Sequence, residues 1–333
     1  MNFTSIVSVQ THATWIYIGA LTCRRSDLKI DELIAHLSDR RQATAAIERC
    51  GNGSGNRARK LGAMPHDLIN FNGDFGGALS HSGEVAFQQS LGFFDDAPNF
   101  DFYNWSAVDT VKQIYFGLAK RSAVFHYALF ANHYSPDRSS GLSRDVPGAD
   151  FIVTLGDWPV RGGTLMQQAG TFMHEFGHNL GLLHGGFEYT HNKPNYLSIM
   201  NYSFQMEGLI NANGKRSFDY SRRKLDDLDE NNNVNENVGI NDPEGHGTLW
   251  KTTRPDNPPG SNKCLGAANV NIYYRRFFPP ALDWNCDGLQ TAAPVAADIN
   301  GDGAISLLAG FKDWPALAFN GAGKIGNAAG ASE

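Results

Sequence analysis

The chain has 333 residues, of which 41% are hydrophobic and 19% are charged, and its formal net charge is −6. This length is sufficient for one large domain or two modest ones, each with a real hydrophobic core. A mildly acidic protein lacks the concentrated basic surface that sequence-independent nucleic-acid binding requires, so no nucleic-acid partner is expected. No apolar run approaches the roughly 18 residues that a membrane-spanning helix needs, so no membrane span is expected.

The first half of the chain alternates strand-like and helix-like segments. Residues Trp15–Leu21 form an apolar run that is compatible with a signal-peptide core or with a buried strand, and no Lys or Arg precedes it. Short apolar runs predict strands at Leu68–Phe71, Val124–Ala131 and Phe151–Leu155, whereas helical periodicity predicts a helix over Val108–Ala119. This alternation predicts an α/β or α+β layer arrangement.

The second half is more irregular. Residues 211–247 are rich in Asn and Asp, which favours loops over regular elements, and Pro and Gly cluster at 255–260 as a connector. The four cysteines, Cys23, Cys50, Cys264 and Cys286, include no C-x-x-C pair, which excludes a cysteine zinc site and a thioredoxin motif. They could form one or two disulfides or remain four unrelated thiols.

The segment from Thr164 to His184 carries the clearest chemical pattern. Thr164 and Gln167 have the spacing of a capping box and predict a helix start. Residues at helical spacing then form one apolar stripe, namely Leu165, Ala169, Phe172, Phe176 and Leu180. His174 and His178 are one turn apart on the face opposite this stripe, so both imidazoles can bind one tetrahedral metal ion.

Three further residues in this segment extend the pattern. Glu175 is next to the first histidine, where it need not bind the metal and can act as a general base. Gly181 tolerates a left-handed turn and is expected to end the helix. His184 follows three residues later and can complete a three-histidine site that leaves the fourth position to water.

The full pattern, His174-Glu175-x-x-His178-x-x-Gly181-x-x-His184, resembles the long zinc signature of the metzincin clan of metallopeptidases. A second element, Ser198-Ile199-Met200-Asn201-Tyr202, resembles the Met-turn of that clan. The resemblance implies that Met200 forms a hydrophobic floor beneath the zinc. It also implies that Tyr202 reaches the metal or the reacting oxyanion, as the corresponding tyrosine does in astacin- and serralysin-like members.

The resemblance also implies a fold. It predicts an α+β protein with a twisted, mostly parallel sheet, backing helices, a zinc cleft between two lobes and a loop-rich C-terminal region. The predicted domain boundaries are an N-terminal segment at 1–62 that is similar to a pro-region, a catalytic domain at 63–245 and a C-terminal region at 246–333. Residues Phe151–Leu155 resemble the edge strand that pairs with an extended substrate, with an interior strand as the alternative.

The C-terminal region contains two D-x-N-x-D-G loops that begin fifteen residues apart. Oxygen-bearing side chains at alternate positions followed by a glycine turn can surround Ca²⁺, although such loops are also common structural turns. No carboxylate stands at the twelfth loop position, where Pro294 and Ala309 are found. The candidate calcium ligands are Asp283, Asn285, Asp287, Asp298, Asn300 and Asp302.

Together these features predict a secreted, zinc-dependent endopeptidase that acts on protein or peptide substrates. His174, His178 and His184 are the expected Zn²⁺ ligands, and Glu175 and Tyr202 are the expected catalytic residues. Structural Ca²⁺ is a second expected cofactor. Two alternatives remain open, namely a zinc hydrolase of another amide, such as a cell-wall peptide, and a non-catalytic binding module that retains the zinc helix.

Overall fold

The computed structural model describes residues 12–20, 69–70, 82–86, 91, 94–95, 102–116, 125–134, 138–231, 234–254, 270–277, 282–287, 289 and 291–318. The chain forms two compact units. The first comprises residues 1–181 together with 317–333, and the second comprises residues 182–316. The predicted 62/63 boundary and the 255–260 connector lie outside the described residues.

Within the described residues, the first unit combines a mixed sheet with two helices. Its strands are β1 (His12–Ala20), β2 (Ile69–Asn70), β3 (Ser82–Ala86), β4 (Phe94–Asp95), β5 (Phe102–Tyr103), β6 (Phe125–Ala131), β7 (Gly141–Ser143) and β8 (Asp150–Thr154). Its helices are α1 (Ser106–Phe116) and α2 (Leu165–Asn179). The main sheet has the order β2-β1-β6-β8-β7, with β3 also paired to β1, while β4 and β5 form a separate pair. Residues 15–20 of the N-terminal apolar run therefore lie in a strand.

The directions of these strands differ from the expectation of a mostly parallel sheet. Among the described strands of the main sheet, β6 and β8 pair in parallel, and every other pair is antiparallel. One reason is the short connection between β7 and β8, since parallel neighbours need a crossover of a dozen or more residues. The described residues form a mixture of helices and strands, and the α+β class with a metzincin-like arrangement stays a prediction.

The position of β8 corrects the expectation for Phe151–Leu155. This strand pairs with β6 on one side and β7 on the other, so it is interior and cannot offer its backbone to a substrate. The strand at the end of the order is β7, and all of its residues are buried. The described residues therefore show no open strand edge at this side of the sheet.

A hydrophobic core with several aromatic side chains supports the first unit. Trp105, Val108 and Tyr127 are completely buried in it, together with Leu129 and Ile152. Helix α1 contributes Val108 and Val111, as its periodicity predicts, but Ile114 is 68% exposed. At 100° per residue, Ile114 lies roughly 120° around the helix from Val108, which is outside the buried stripe.

In its described residues, the second unit consists of strands, loops, one short α-helix and a 3₁₀ turn. Its elements are α3 (Tyr202–Gln205), β9 (Leu209–Ile210), β10 (Arg216–Ser217), β11 (Leu228–Asp229), β12 (Gly247–Arg254), β13 (Val270–Phe277), β14 (Leu307–Leu308) and a 3₁₀ turn at Trp314–Ala316. Antiparallel pairs form between β9 and β10, β11 and β14, and β12 and β13. Two buried tryptophans, Trp250 and Trp284, meet edge to face in its core.

The second unit does not divide at the predicted 245/246 boundary. Strand β14 pairs with β11, with Leu308 opposite Leu228, so the C-terminal region completes a sheet that begins before residue 245. Cys286 is disulfide-bonded, and its partner lies outside the described residues. Within the described part of the chain, no helix is both long and apolar enough to cross a membrane.

Candidate metal centre

Helix α2 places the first two histidines. It begins with the predicted capping box, in which the backbone N–H of Gln167 donates to the Thr164 hydroxyl and the Thr164 N–H donates to the Gln167 side chain. Phe172 lies 5.9 Å from the ring of Phe130 on β6 and 5.3 Å from that of Phe151 on β8, measured between centroids. These contacts fix the rotation of the helix and therefore the direction of His174 and His178.

The apolar stripe that was predicted for α2 is buried in all but its first position. Ala169, Phe172, Phe176 and Leu180 are at most 9% exposed, whereas Leu165 is 39% exposed in the first turn. The opposite face is not open to solvent either, since His174 is 0% and His178 is 2% exposed. The two imidazoles are therefore held in a desolvated environment.

The helix ends where the sequence predicts. Asn179 is its last residue, Leu180 is the C-cap, and Gly181 has φ +94°, a left-handed conformation that residues with a β-carbon rarely adopt. A tight turn follows, in which the N–H groups of Leu183 and Gly186 donate to each other's carbonyl oxygens. His184 lies in this turn and is 2% exposed.

The three predicted zinc ligands come together. Ring nitrogens of His174, His178 and His184 lie within 4.8 Å of one another. The Nε2 atoms of His174 and His178 are 3.2 Å apart. Two nitrogens bound to one tetrahedral zinc at about 2.0–2.1 Å would be roughly 3.4 Å apart, so the spacing fits this ion. Among the described residues, no other His, Cys, Asp or Glu group has three such side chains.

Glu175 lies beside this cluster and is packed against the sheet. Its side chain is 0% exposed. A β-carbon added at Gly141 on β7 would lie 2.8 Å from both Cγ and Oε1 of Glu175, and 2.7 Å from the carbonyl oxygen of Ile152. Glycine at position 141 therefore leaves the space that the Glu175 carboxylate occupies. This requirement for glycine was not predicted from the sequence.

Asn179 is a second residue that the sequence analysis missed. Its side-chain amide donates to the Ser143 hydroxyl and to the carbonyl oxygens of Asp150 and Glu175, at 2.7, 3.2 and 3.2 Å. Its amide oxygen lies 3.0 Å from Nδ1 of His126, whose pKa is lowered to about 4 by burial. Asn179 thus joins the end of α2 to the sheet. The only feature of the sequence that could have indicated this role is the position of Asn179 directly after His178.

Tyr202 and His191 surround the third ligand. The Tyr202 ring lies 4.4 Å from the His184 ring, between centroids. His191 lies 4.7 Å from His184 and stacks on Tyr202 at 4.9 Å with an interplanar angle of 8°. His191 is therefore a half-buried aromatic neighbour of the third ligand, His184.

The segment predicted as a Met-turn is a buried tight turn. Ser198, Ile199 and Met200 are 0% exposed. The Ser198 hydroxyl accepts a hydrogen bond from the Met200 N–H, and the side chain of Asn201 caps α3 by accepting from the Ser203 N–H. Tyr202 is the first residue of α3, so the turn determines where its ring lies.

The two loops predicted to bind calcium share part of their hydrogen bonding. In the first, Asp283 and Asn285 accept from the Asp287 N–H. In the second, Asp298 accepts from the N–H groups of Gly301 and Gly303. In both loops the Asn amide donates to the last Asp, Asn285 to Asp287 and Asn300 to Asp302.

Two buried glutamates, which the sequence analysis missed, close these loops. Glu236 accepts from the N–H groups of Trp284 and Thr291, and Glu230 accepts from those of Ile299 and Ser306. The contacts fall at matching positions of the two loops, which indicates an internal structural repeat. Backbone donors thus stabilise both loops as turns, and calcium binding at Asp283, Asn285, Asp287, Asp298, Asn300 and Asp302 stays a prediction.

No known protein family matches the chain, and no curated protein or solved structure is significantly similar to it. Function is therefore inferred from the side chains and their geometry.

Proposed function

We propose that this protein is a zinc-dependent endopeptidase that hydrolyses peptide bonds with Glu175 as the general base. The observation that carries this proposal is the buried cluster of three imidazoles, two of whose Nε2 atoms are 3.2 Å apart, directly beside a buried glutamate. Three neutral nitrogen donors are a ligand set of catalytic zinc sites, in which a fourth position stays open for water or substrate.

His174, His178 and His184 would hold the metal. Zinc bound there would supply a Lewis acid that makes a coordinated water acidic near neutral pH and polarises the substrate carbonyl. Glu175 would take the proton from the attacking water and later donate it to the departing amine. Packing against Gly141 holds the Glu175 carboxylate in one place, which supports this role because a general base must be within hydrogen-bond reach of its proton.

Tyr202 is proposed to donate a hydrogen bond from its phenolic O–H to the developing oxyanion. Two observations support this role. Its ring is 4.4 Å from that of His184, and its side chain is only half-buried, so a substrate can approach it. Preorganised donors of this kind stabilise negative charge more effectively in a desolvated site than in water.

The substitution Glu175→Gln tests the proposal. It preserves size and removes the base, so we expect unchanged zinc content and a loss of roughly 10³-fold or more in kcat on casein or a fluorogenic peptide. The exposed Glu207→Gln is the matched control and should keep full activity. Retained turnover in zinc-loaded Glu175→Gln would refute the proposed mechanism.

The two alternatives give different results in the same experiment. A zinc hydrolase of cell-wall peptides would leave casein and gelatin intact but cleave peptidoglycan fragments. A non-catalytic module would bind zinc without turnover on any amide.

The proposed compartment is extracellular, and the disulfide at Cys286 supports it because disulfides persist mainly in oxidising compartments.

A further inference from the structure

The C-terminal segment Leu307–Asp313 contacts the part of the second unit that carries the third histidine and the Met-turn. Four groups make these contacts, namely Lys193, Asn195, the Tyr196–Ser198 pair and Gly186. Their partners are separated from them by more than 100 residues in the chain. Contacts between residues distant in sequence thus converge on the short segment 307–313.

Lys193 makes the first connection. Its side chain is fully buried, and Nζ donates to the carbonyl oxygens of Gly185 and Ala309, at 2.8 and 2.6 Å, and to the Glu188 carboxylate at 2.6 Å. One ammonium group thereby holds the residue that directly follows His184 against the C-terminal segment. A buried ammonium is costly unless its donors are satisfied, and here all three donors have acceptors.

Asp313 makes the second connection. Its carboxylate is 0% exposed and accepts hydrogen bonds from the Tyr196 hydroxyl at 2.7 Å, the Ser198 hydroxyl at 2.5 Å and the Ser221 N–H at 2.7 Å. Ser198 opens the Met-turn and itself accepts from the Met200 N–H. The Ser198 hydroxyl therefore links the Asp313 carboxylate to the Met200 backbone through two hydrogen bonds.

Two smaller contacts agree with this picture. The Asn195 amide donates to the carbonyl oxygen of Leu308 at 2.8 Å. Gly186 has φ +93°, and a β-carbon there would lie 2.3 Å from the ring of Phe311. The turn that carries His184 thus needs glycine both for its backbone conformation and for the close approach of Phe311.

We propose that Leu307–Asp313 is a positioning element of the metal centre, and that Asp313 and Lys193 are its positioning residues. Lys193 fixes the turn of the third ligand, and Asp313 fixes the Met-turn and, through it, Tyr202 beside His184. This inference rests on the proposed function, because it assumes that the three histidines bind zinc. It adds residues outside the zinc signature that are needed for metal retention and turnover.

The test uses the full chain and measures zinc affinity by chelator competition, the visible spectrum of the Co²⁺-substituted protein, and kcat and KM separately. The variants are Asp313→Asn, Lys193→Met and Ser198→Ala, and the matched control is Lys312→Met, an exposed neighbour of Asp313. Residues that orient metal ligands typically affect affinity by 10- to 100-fold. We expect such a loss of zinc affinity in Asp313→Asn and Lys193→Met, an altered Co²⁺ spectrum, and a decrease in kcat that exceeds any rise in KM.

The outcomes are distinguishable. Failure of the wild-type protein to bind zinc would refute the proposed function itself. If the wild type binds zinc but folded Asp313→Asn and Lys193→Met match it in zinc affinity, Co²⁺ spectrum and kcat, the two residues are merely structural and the inference is wrong. Should both variants fail to fold, Ser198→Ala decides, because it removes only the link from Asp313 to the Met-turn. A wild-type Co²⁺ spectrum and kcat in Ser198→Ala would then overturn the inference.

Discussion

Gly141→Ala provides a sharp test of how Glu175 is positioned. The new β-carbon would lie 2.8 Å from Oε1 of Glu175 and 2.7 Å from the Ile152 carbonyl oxygen, whereas ordinary contacts begin at 3.4 Å. The Ile152 oxygen belongs to an interior strand and has little freedom, so the backbone at position 141 must shift, and the separation from Glu175 must grow by about 0.6 Å. A misplacement of about 1 Å can cost 10²-fold in rate, so we expect kcat to fall by roughly 10- to 100-fold.

Zinc binding should survive this substitution, because the atoms closest to the added methyl group belong to Glu175 and Ile152 rather than to a histidine. Overpacking should also lower the free energy of unfolding by about 1–3 kcal/mol. The assay is kcat and KM on a fluorogenic peptide, with zinc content and thermal unfolding measured in parallel. Gly148→Ala is the matched control, since its β-carbon would meet the Asp145 backbone at 2.4 Å and not Glu175. Equal losses of kcat in the two variants, or full activity in Gly141→Ala, would refute the reasoning.

Three further predictions concern stability. Thr164→Ala removes the capping box of α2 and should lower the free energy of unfolding by about 1 kcal/mol in urea titrations, with kcat unchanged. Lys112→Met removes the 2.5 Å ion pair of buried Asp150, which keeps a longer one with Arg144 at 3.5 Å, and should cost about 1–3 kcal/mol by the same measurement. Burial raises the pKa of Asp313 from 3.8 to about 6, so its contribution to stability is fully present below pH 3.8 and is lost as the pH rises through 6. Relative to Asp313→Asn, the wild type should therefore lose about 3 kcal/mol of stability between pH 3.8 and 7, and a pH-independent difference would contradict this.

The local part of the site was predictable because its geometry depends on residues close together in sequence. The spacing of His174 and His178 fixes two imidazoles on one helical face, and the capping box at Thr164 and the φ of Gly181 fix where that helix begins and ends. Each of these features depends on helical periodicity or on the conformational freedom of glycine. Strand positions were predictable for the same reason, as β6 and β8 show.

Strand pairing and the support of the site were not predictable, because they depend on residues distant in sequence. Nothing in Phe151–Leu155 distinguishes an edge strand from an interior one, since both are short apolar runs. The place of Gly141 against Glu175 and the hydrogen bond from Ser198 to Asp313 likewise appear only once distant segments are packed.

The two D-x-N-x-D-G loops show how one local pattern can serve different chemistry. The same alternating oxygens that could surround a cation here accept backbone N–H groups, and a glutamate from residues 230–236 closes each loop. Burial raises the pKa of both Glu230 and Glu236, yet each accepts backbone hydrogen bonds that favour the charged form. A carboxylate supplied from elsewhere in the chain therefore closes each loop through backbone hydrogen bonds, and the loop sequence alone contains no information about it.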